Sequence, residues 1–195
     1  MTHTITIFKS IKDTSTPFHR DISEILSRIK NGKGNTNDLI KKIRTEKNKV
    51  ERLELKKQLP AICFSGKFTK RNDISLVEHS GIICLDFDGY PKKKDMLSAK
   101  QLFSQNDYVY AVFESPSGNG LKVLVKIPRD EENHINYFNS LKTYFNSEYF
   151  DVTSRNVSRV CYESYDPLIH INEKSNLWDK IEEPEYKEVS KYTKH

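Results

Sequence analysis

Apolar residues recur along the chain at spacings that predict an order of strands and helices. The alternation over residues 5–8 predicts a first strand. A helix is expected to start at Thr16-Pro17, with the threonine as N-cap, and to stop at Asn31-Gly32. A second helix is expected from residue 37 or 38 to about residue 58. The first third of the chain is therefore predicted to be mainly helical.

From Pro60 onward the pattern is mainly extended. Residues 82–85 form a continuous apolar run, which is typical of a strand covered on both faces. Further strands are predicted over residues 61–64, 109–113, 121–127, 160–162 and 168–171, and helices over 95–104 and 134–145, the latter burying Ile135, Phe138, Leu141 and Phe145. This order of elements predicts an α+β fold with a mainly antiparallel sheet.

Composition adds an electrostatic preference to this picture. The chain of 195 residues has a formal net charge of +5, and its aromatic content of 11% argues against a disordered chain. Positive charge is concentrated over residues 39–58, where eight Lys or Arg face three Glu. That segment is either a solvated outer helix or a surface that follows a phosphate backbone. The charge favours an anionic partner such as nucleic acid or nucleotide phosphate.

The remaining composition bounds the class of protein. Cys63, Cys84 and Cys161 show no paired spacing, so they are expected to be small core residues rather than a disulfide framework or a zinc site. The N-terminus lacks the features of a signal peptide, and no apolar run is long enough to span a membrane. We therefore expect a cytoplasmic protein with one domain over residues 1–180 and a charged tail or linker over 181–195.

Two acidic residues end the buried strand and carry the strongest candidate chemistry. Asp86 and Asp88 are two residues apart, so in a strand both side chains project to the same face. Paired carboxylates raise each other's proton affinity unless a cation lies between them, and Mg²⁺ or Mn²⁺ is the expected cation. Gly89 lets the chain leave the strand close to such a site. The alternative is a solvated acidic turn.

A loop of small residues follows between two predicted strands and leads into a lysine. It contains Ser117, Gly118, Asn119 and Gly120 and reaches Lys122. Glycines allow backbone N–H groups to turn toward an anion, and a lysine supplies a point charge to a phosphate. The alternative is an ordinary hairpin with Asn119-Gly120 as its turn.

A later segment adds a third carboxylate and a cation. Asp151 follows a predicted helix and could reach the first two carboxylates, whereas Arg159 precedes an apolar strand, where a cation needs an anionic partner. Asp151 could instead cap a turn, and Arg159 could instead form a plain ion pair. A basic patch of Lys67, Lys70 and Arg71 could contact nucleic acid. Taken together, these elements suit phosphoryl transfer, in which positioning and charge neutralisation supply most of the catalysis.

In the order and spacing of these motifs the chain resembles the archaeo-eukaryotic primase superfamily, and more closely the VirE N-terminal-like domains of bacterial mobile elements. The matching segments are residues 59–66, 79–88, 115–122 and 158–167. The resemblance implies a primase-polymerase catalytic domain with an RRM-like, mainly antiparallel sheet and an N-terminal helical unit. It also implies metal ligation by Asp86, Asp88 and Asp151, and nucleotide contacts from residues 117–120.

The resemblance further implies the partners: a DNA template and primer, an NTP or dNTP, and a helicase-like domain or protein. The second motif of the superfamily commonly ends in a histidine that contacts the nucleotide phosphates, and this chain has Lys122 there. Lysine can hold a phosphate, but the histidine's proton-transfer role does not carry over. His79 is expected to lie in a surface turn.

Three hypotheses follow. The first is an enzyme that transfers nucleotides to a 3′-hydroxyl on a template. The second is a degenerate relative that binds nucleic acid or nucleotide without turnover, motivated by Lys122 and by the basic second helix. The third, ranked last because of the phosphate-binding loop, is a metal-dependent nuclease that uses the same acidic pair.

Overall fold

Antiparallel pairing organises the chain into two four-stranded sheets and one hairpin. The computed structural model describes residues 3–181, so the predicted tail falls outside the described residues except for Ile181. The strands are Thr4–Phe8 (β1), Phe18–Asp21 (β2), Ala61–Cys63 (β3), Gly66–Phe68 (β4), Leu76–His79 (β5), Ile82–Phe87 (β6), Val109–Glu114 (β7), Leu121–Lys126 (β8), Cys161–Tyr162 (β9) and His170–Ile171 (β10). The helices are Ile22–Asn31 (α1), Thr36–Thr45 (α2), Lys49–Lys56 (α3), Lys93–Ser104 (α4) and His134–Phe145 (α5).

The sheet orders are β2-β1-β3-β9 and β10-β7-β8-β6, and β4 pairs with β5. Every strand pairing given for residues 3–181 is antiparallel. The predicted α+β class and mainly antiparallel pairing are therefore confirmed. None of the helices within these residues is long and apolar enough to cross a membrane.

The strand β6 lies between two apolar layers, as its continuous apolar run predicted. Ile83, Leu85 and Phe87 face a core shared with the helices α4 and α5. Ile82, two strand positions before Cys84, faces the other core, which is shared with β1, β3 and α1. Because side chains alternate along a strand, one short segment contributes to both layers.

The predicted start of the first helix at Thr16-Pro17 is wrong. Residues 18–21 instead form β2, an edge strand that pairs with β1. The helix α1 begins at Ile22, because the Asp21 side chain caps it by accepting from the Ser23 N–H. Its predicted end is confirmed, since Gly32 follows Asn31 with a positive φ of 75°.

The predicted second helix is two helices, α2 and α3. It breaks at residues 46–48, where the Asn48 side chain accepts from the Val50 and Glu51 N–H groups. An asparagine that caps a new helix in this way competes with continuation of the preceding one. The break turns α3 into a separate short element beside α2.

The bounds of α5 match the prediction, but its buried face is rotated. Ile135 is 45% exposed, whereas His134 and Tyr137 are buried. His79 is also buried rather than in a surface turn, and its Nε2 lies 3.0 Å from His134 Nδ1. The hairpin of β4 and β5 accounts for this, because it places His79, the last residue of β5, against the start of α5. Cys63 and Cys161 are buried and Cys84 is half-buried, so they lie in or beside the core as predicted.

Candidate active site

A buried ion pair joins the two central strands of the second sheet. Asp86 on β6 and Lys122 on β8 are direct cross-strand partners. The Lys122 ammonium donates to Asp86 Oδ2, and the two side chains are only 9% and 13% exposed for lysine and aspartate respectively. Lys122 reaches this position because Leu121 and Val123, its neighbours on β8, both point into the opposite core. The ion pair therefore lies on the face that looks toward the first sheet.

The second oxygen of the Asp86 carboxylate is unsatisfied. Asp86 Oδ1 is buried and has no hydrogen-bond partner among the described residues. A buried carboxylate oxygen without a partner is costly, because it has lost its water without gaining a donor. This oxygen is therefore a candidate ligand for a cation or an incoming donor.

Asp88 lies just beyond β6 and is exposed. Its N–H donates to the Tyr149 carbonyl at 2.8 Å, which fixes the backbone as it leaves the strand. A Cβ added at Gly120 would lie 2.1 Å from Asp88 Oδ1 and 2.8 Å from the Phe87 carbonyl oxygen. The Phe87 carbonyl, which is backbone and cannot move aside, therefore favours glycine at residue 120, and the Asp88 carboxylate packs into the space that a side chain would need.

Asp151, the third predicted carboxylate, is linked to Asp86 by a backbone hydrogen bond. The Asp151 N–H donates to the Asp86 carbonyl at 2.8 Å. Its side chain accepts from the Thr153 N–H at 2.9 Å and hydroxyl at 2.7 Å, and Arg159 Nη2 lies 3.4 Å from Asp151 Oδ2. The turn cap and the plain ion pair, both open alternatives from the sequence, are thus both present. Within residues 3–181 no group of three His, Cys, Asp or Glu side chains is arranged to hold a metal ion.

The charges of this cluster shift one another's pKa values. Burial raises the pKa of Asp86, Lys122 opposes that shift, and the nearby carboxylates of Asp88 and Asp151 add to it. Burial alone would lower the pKa of Lys122, but Asp86 and Asp88 outweigh it and the pKa is raised. Arg159 and Lys56 are two further cations that act on these carboxylates. The raised pKa of Asp86 therefore comes first from its burial, and the raised pKa of Lys122 from its carboxylate partners. A cation that reached the buried Asp86 Oδ1 would supply the partner that this oxygen lacks.

Asp151 behaves differently from Asp86. Burial alone would raise its pKa, but the hydrogen bonds from Thr153 and the charges of Arg159 and Lys122 outweigh burial and lower it. Asp151 is therefore the carboxylate of the three that is best satisfied by its protein partners.

The loop of small residues is a hairpin that joins β7 to β8. The Ser115 N–H donates to the Gly120 carbonyl at 2.8 Å, and the Gly118 N–H donates to the Ser115 carbonyl at 2.9 Å. Gly118 adopts a φ of 72°, which favours glycine. Ser117 and Asn119 of this loop line a cleft together with Asp88.

That cleft has a basic wall that the sequence did not assign to the site. It has a volume of about 380 Å³ and lies between Asp88 with Ser117 and Asn119 on one side and Lys49, Arg52 and Lys56 of α3 on the other. The excess of basic residues over 39–58 was the available signal. This excess of charge could not be assigned to the site, because the segment was predicted to be one long helix, which would not turn these residues toward the loop.

The three residues of the predicted nucleic-acid patch, Lys67, Lys70 and Arg71, do not form one surface. Arg71 shares a groove with Asn156, Ser158 and Arg159. Lys70 is exposed. Lys67 lies beside β2, where burial first and the Lys67 charge second lower the pKa of His19. Of the three residues, Arg71 is the one that the fold brings to a predicted site residue, Arg159.

Fold and site together define an α+β protein with a buried carboxylate–lysine pair beside a basic cleft. The family model of the BT4734-like, N-terminal domain matches residues 54–170. This is more than half of the chain, and the chain therefore belongs to that family. The match includes Asp86, Asp88, Lys122, Asp151 and Arg159. No curated protein matches the chain, and no solved structure matches it.

Proposed function

We propose that this domain carries out metal-dependent nucleotidyl transfer, adding nucleotides to a 3′-hydroxyl on a nucleic-acid template. The observation that carries the proposal is the buried, unpartnered Oδ1 of Asp86. Burial and the nearby carboxylates of Asp88 and Asp151 raise the pKa of Asp86, and Asp88 lines a cleft whose other wall is basic. A carboxylate of this kind, near a surface suited to phosphate, is what transfer of a phosphoryl group requires.

Mg²⁺ or Mn²⁺ fits the donor set offered by Asp86 Oδ1 and the exposed Asp88. Both ions take few carboxylates and complete their coordination with water and substrate phosphate, so a set of three protein ligands is not needed. When bound, the cation would neutralise phosphate charge and lower the pKa of the attacking hydroxyl. Asp151, whose backbone is bonded to Asp86, is proposed as the third acidic residue of the site.

The chain's own residues supply orientation and charge. Lys122 keeps Asp86 in one position through Oδ2 and leaves Oδ1 without a partner. Ser117 and Asn119 offer hydroxyl and amide groups to a bound nucleotide. The space beside Gly120 is filled by Asp88 and that beside Gly118 by the Arg44 side chain, so these two glycines shape the loop rather than contact the nucleotide through an open backbone. Arg159, which is 44% exposed, is available to an anion at the groove that it shares with Arg71.

We also propose that the sheet β10-β7-β8-β6 with α4 and α5 is the RRM-like unit of a primase-polymerase fold. Support comes from the order of the motifs and from the position of Asp86 and Asp88 at the end of β6. On this proposal the partners are a DNA template and primer, an NTP or dNTP, and a helicase-like domain or protein.

The experiment is primer extension with NTPs and dNTPs in parallel, each with Mg²⁺ and Mn²⁺. We expect Asp86→Asn to lower incorporation about a thousandfold, since preorganised charge at a phosphoryl centre is worth that much. The matched control is Asp107→Asn, an exposed aspartate just before β7, at the end of the sheet far from Asp86. Equal incorporation by Asp86→Asn and the wild type would refute the proposal.

A second candidate, a binding module without turnover, is favoured by one specific contact. Lys122 already satisfies Asp86 Oδ2, so part of the carboxylate is neutralised without any metal ion. Salt-sensitive DNA binding with no incorporation under either metal would select this candidate. Shortened primers in the same assay would instead mark a metal-dependent nuclease.

A further inference from the structure

The helix α3 presents a row of unpaired cations. Lys49, Arg52 and Lys56 are spaced three and four residues apart, so they share one face of the helix over about 10 Å. Within residues 3–181 none of these three forms an ion pair, whereas Lys57, the C-cap residue that follows the helix, pairs with Glu54 at 2.5 Å. The α3 face is therefore a cationic surface whose anionic partner is not supplied by the described chain.

This surface lines the cleft of the candidate site, although Lys49 is also exposed to solvent. Across a cleft of about 380 Å³ it meets Asp88, Ser117 and Asn119. Burial lowers the pKa of Lys56, and the charges of Asp88 and Asp86 oppose that shift, so its ammonium lies within reach of the acidic cluster. Its Nζ also lies 5.6 Å from the centre of the Tyr162 ring, which orients the side chain.

Lys122 is poorly placed to be the main phosphate contact that the sequence suggested. Its side chain is 9% exposed, and its ammonium is already bonded to Asp86. Releasing it to a phosphate would leave the Asp86 carboxylate buried and unpaired, which is costly. The cations of α3 carry no such cost, since they have no ion pair to break.

We propose that the α3 face of Lys49, Arg52 and Lys56 binds the triphosphate of the nucleotide that enters the cleft, with Arg52 and Lys56 as its principal contacts. This inference rests on the proposed function. The length of the row and the volume of the cleft suit a short polyphosphate chain, and Arg52 can hold two phosphate oxygens at once. The hydroxyl of Ser117 and the amide of Asn119 then lie on the opposite side of the bound polyphosphate.

The test is direct binding, without catalysis, by isothermal titration calorimetry. The probes are inorganic tripolyphosphate and a slowly hydrolysed nucleoside triphosphate analogue, both with Mg²⁺, and separately a single-stranded DNA oligonucleotide. Arg52→Gln and Lys56→Gln are each expected to weaken binding of the two triphosphate probes about tenfold, as expected for a lost hydrogen bond to a charged group. The control Lys41→Gln removes the same charge from α2, where Lys41 pairs with Asp38, and should leave binding unchanged.

Three outcomes would overturn the inference. These are triphosphate binding that is insensitive to Arg52→Gln and Lys56→Gln, a loss confined to the DNA oligonucleotide, and a wild-type chain that binds neither triphosphate probe. Loss of primer extension is a separate result. A chain that binds triphosphate through α3 but incorporates nothing would refute the proposed function and leave the α3 assignment intact.

Discussion

The two faces of β6 differ in kind although they alternate residue by residue. On one face Ile83, Leu85 and Phe87 are fully buried in an apolar core. On the other face the side chains change from apolar Ile82 to charged Asp86 within four residues. One strand can therefore both anchor the fold and present a reactive group, because its neighbouring residues face opposite sides of the sheet.

On the apolar face, aromatic rings pack directly beside the acidic residues. The Phe87 ring lies 4.6, 5.7 and 5.2 Å from the ring centres of Phe103, Phe145 and Phe150 respectively. Because Phe87 lies between Asp86 and Asp88 in the chain, this aromatic cluster fixes the backbone that carries both carboxylates. The rigidity of the site is therefore supplied from the opposite face of the sheet.

Truncation of the apolar face is expected to have the largest effect. Phe87→Ala should lower the free energy of unfolding by about 4 kcal/mol, because it removes a fully buried ring and leaves a cavity. Urea denaturation followed by circular dichroism measures this change. A loss below about 1 kcal/mol would mean that the cluster does not anchor the strand.

Breaking the ion pair on the polar face should cost somewhat less. Lys122→Met is expected to lower the free energy of unfolding by about 3 kcal/mol at pH 7, because it leaves Asp86 buried without its counter-ion. Adding Asp86→Asn should recover most of that loss, since the unpaired charge is removed. Additive losses in the double variant would show that the two residues are not coupled.

A buried histidine pair provides a comparison that depends on pH. Burial lowers the pKa of His79 to about 4, and burial with the His79 charge lowers that of His134 to about 3. The Gly81 N–H donates to His79 Nδ1, so the Nε2–H of His79 donates to His134 Nδ1 and both rings are neutral. Asp130 and Asp73 act against these shifts, and Arg129 adds to that of His79.

Acid should therefore destabilise the wild-type chain. Both histidines bind protons at higher pH in the unfolded chain than in the folded chain. The stability that the neutral pair contributes is therefore fully present above pH 6.5 and is lost as the pH falls toward 4. Between pH 6.5 and 4.5 we expect the free energy of unfolding of His134→Gln to fall by about 2 kcal/mol less than that of the wild type. Parallel stability curves, measured by urea denaturation at each pH, would contradict the neutral pair.

The half-exposed pair at the other end of the site should matter least for stability. Arg159→Gln is expected to change the free energy of unfolding by less than about 0.5 kcal/mol, because Arg159 is 44% exposed and its contact with Asp151 is screened by solvent. Urea denaturation measures this as well. A loss close to that of Lys122→Met would show that the two pairs are not different in kind.

Local patterns were sufficient to predict much of the fold. The apolar run at 82–85, the strands of the β7–β8 hairpin and the bounds of α5 follow from periodicity within a single element. The strand β2 could not be predicted, because it exists through pairing with β1 rather than through its own sequence. The burial of His79 has the same origin, since the hairpin of β4 and β5 carries it to α5.

For the candidate site, the sequence identified residues but not their partners. Asp86 and Lys122 were both selected, yet their ion pair depends on the register of β6 against β8, which no local pattern reveals. Lys56 was missed because its role depends on the break between α2 and α3 and on how α3 packs across from the loop. Long-range pairing and packing therefore account for what sequence reasoning left out.

The most direct test of the account is Mn²⁺ binding measured by electron paramagnetic resonance, in which free and bound ions give different signals. The central claim is that Asp86, through its unpartnered Oδ1, binds the divalent cation. We expect the wild-type chain and Asp107→Asn to bind Mn²⁺ alike, and Asp86→Asn to weaken binding about tenfold or more. Equal binding by Asp86→Asn and the wild type would contradict the claim.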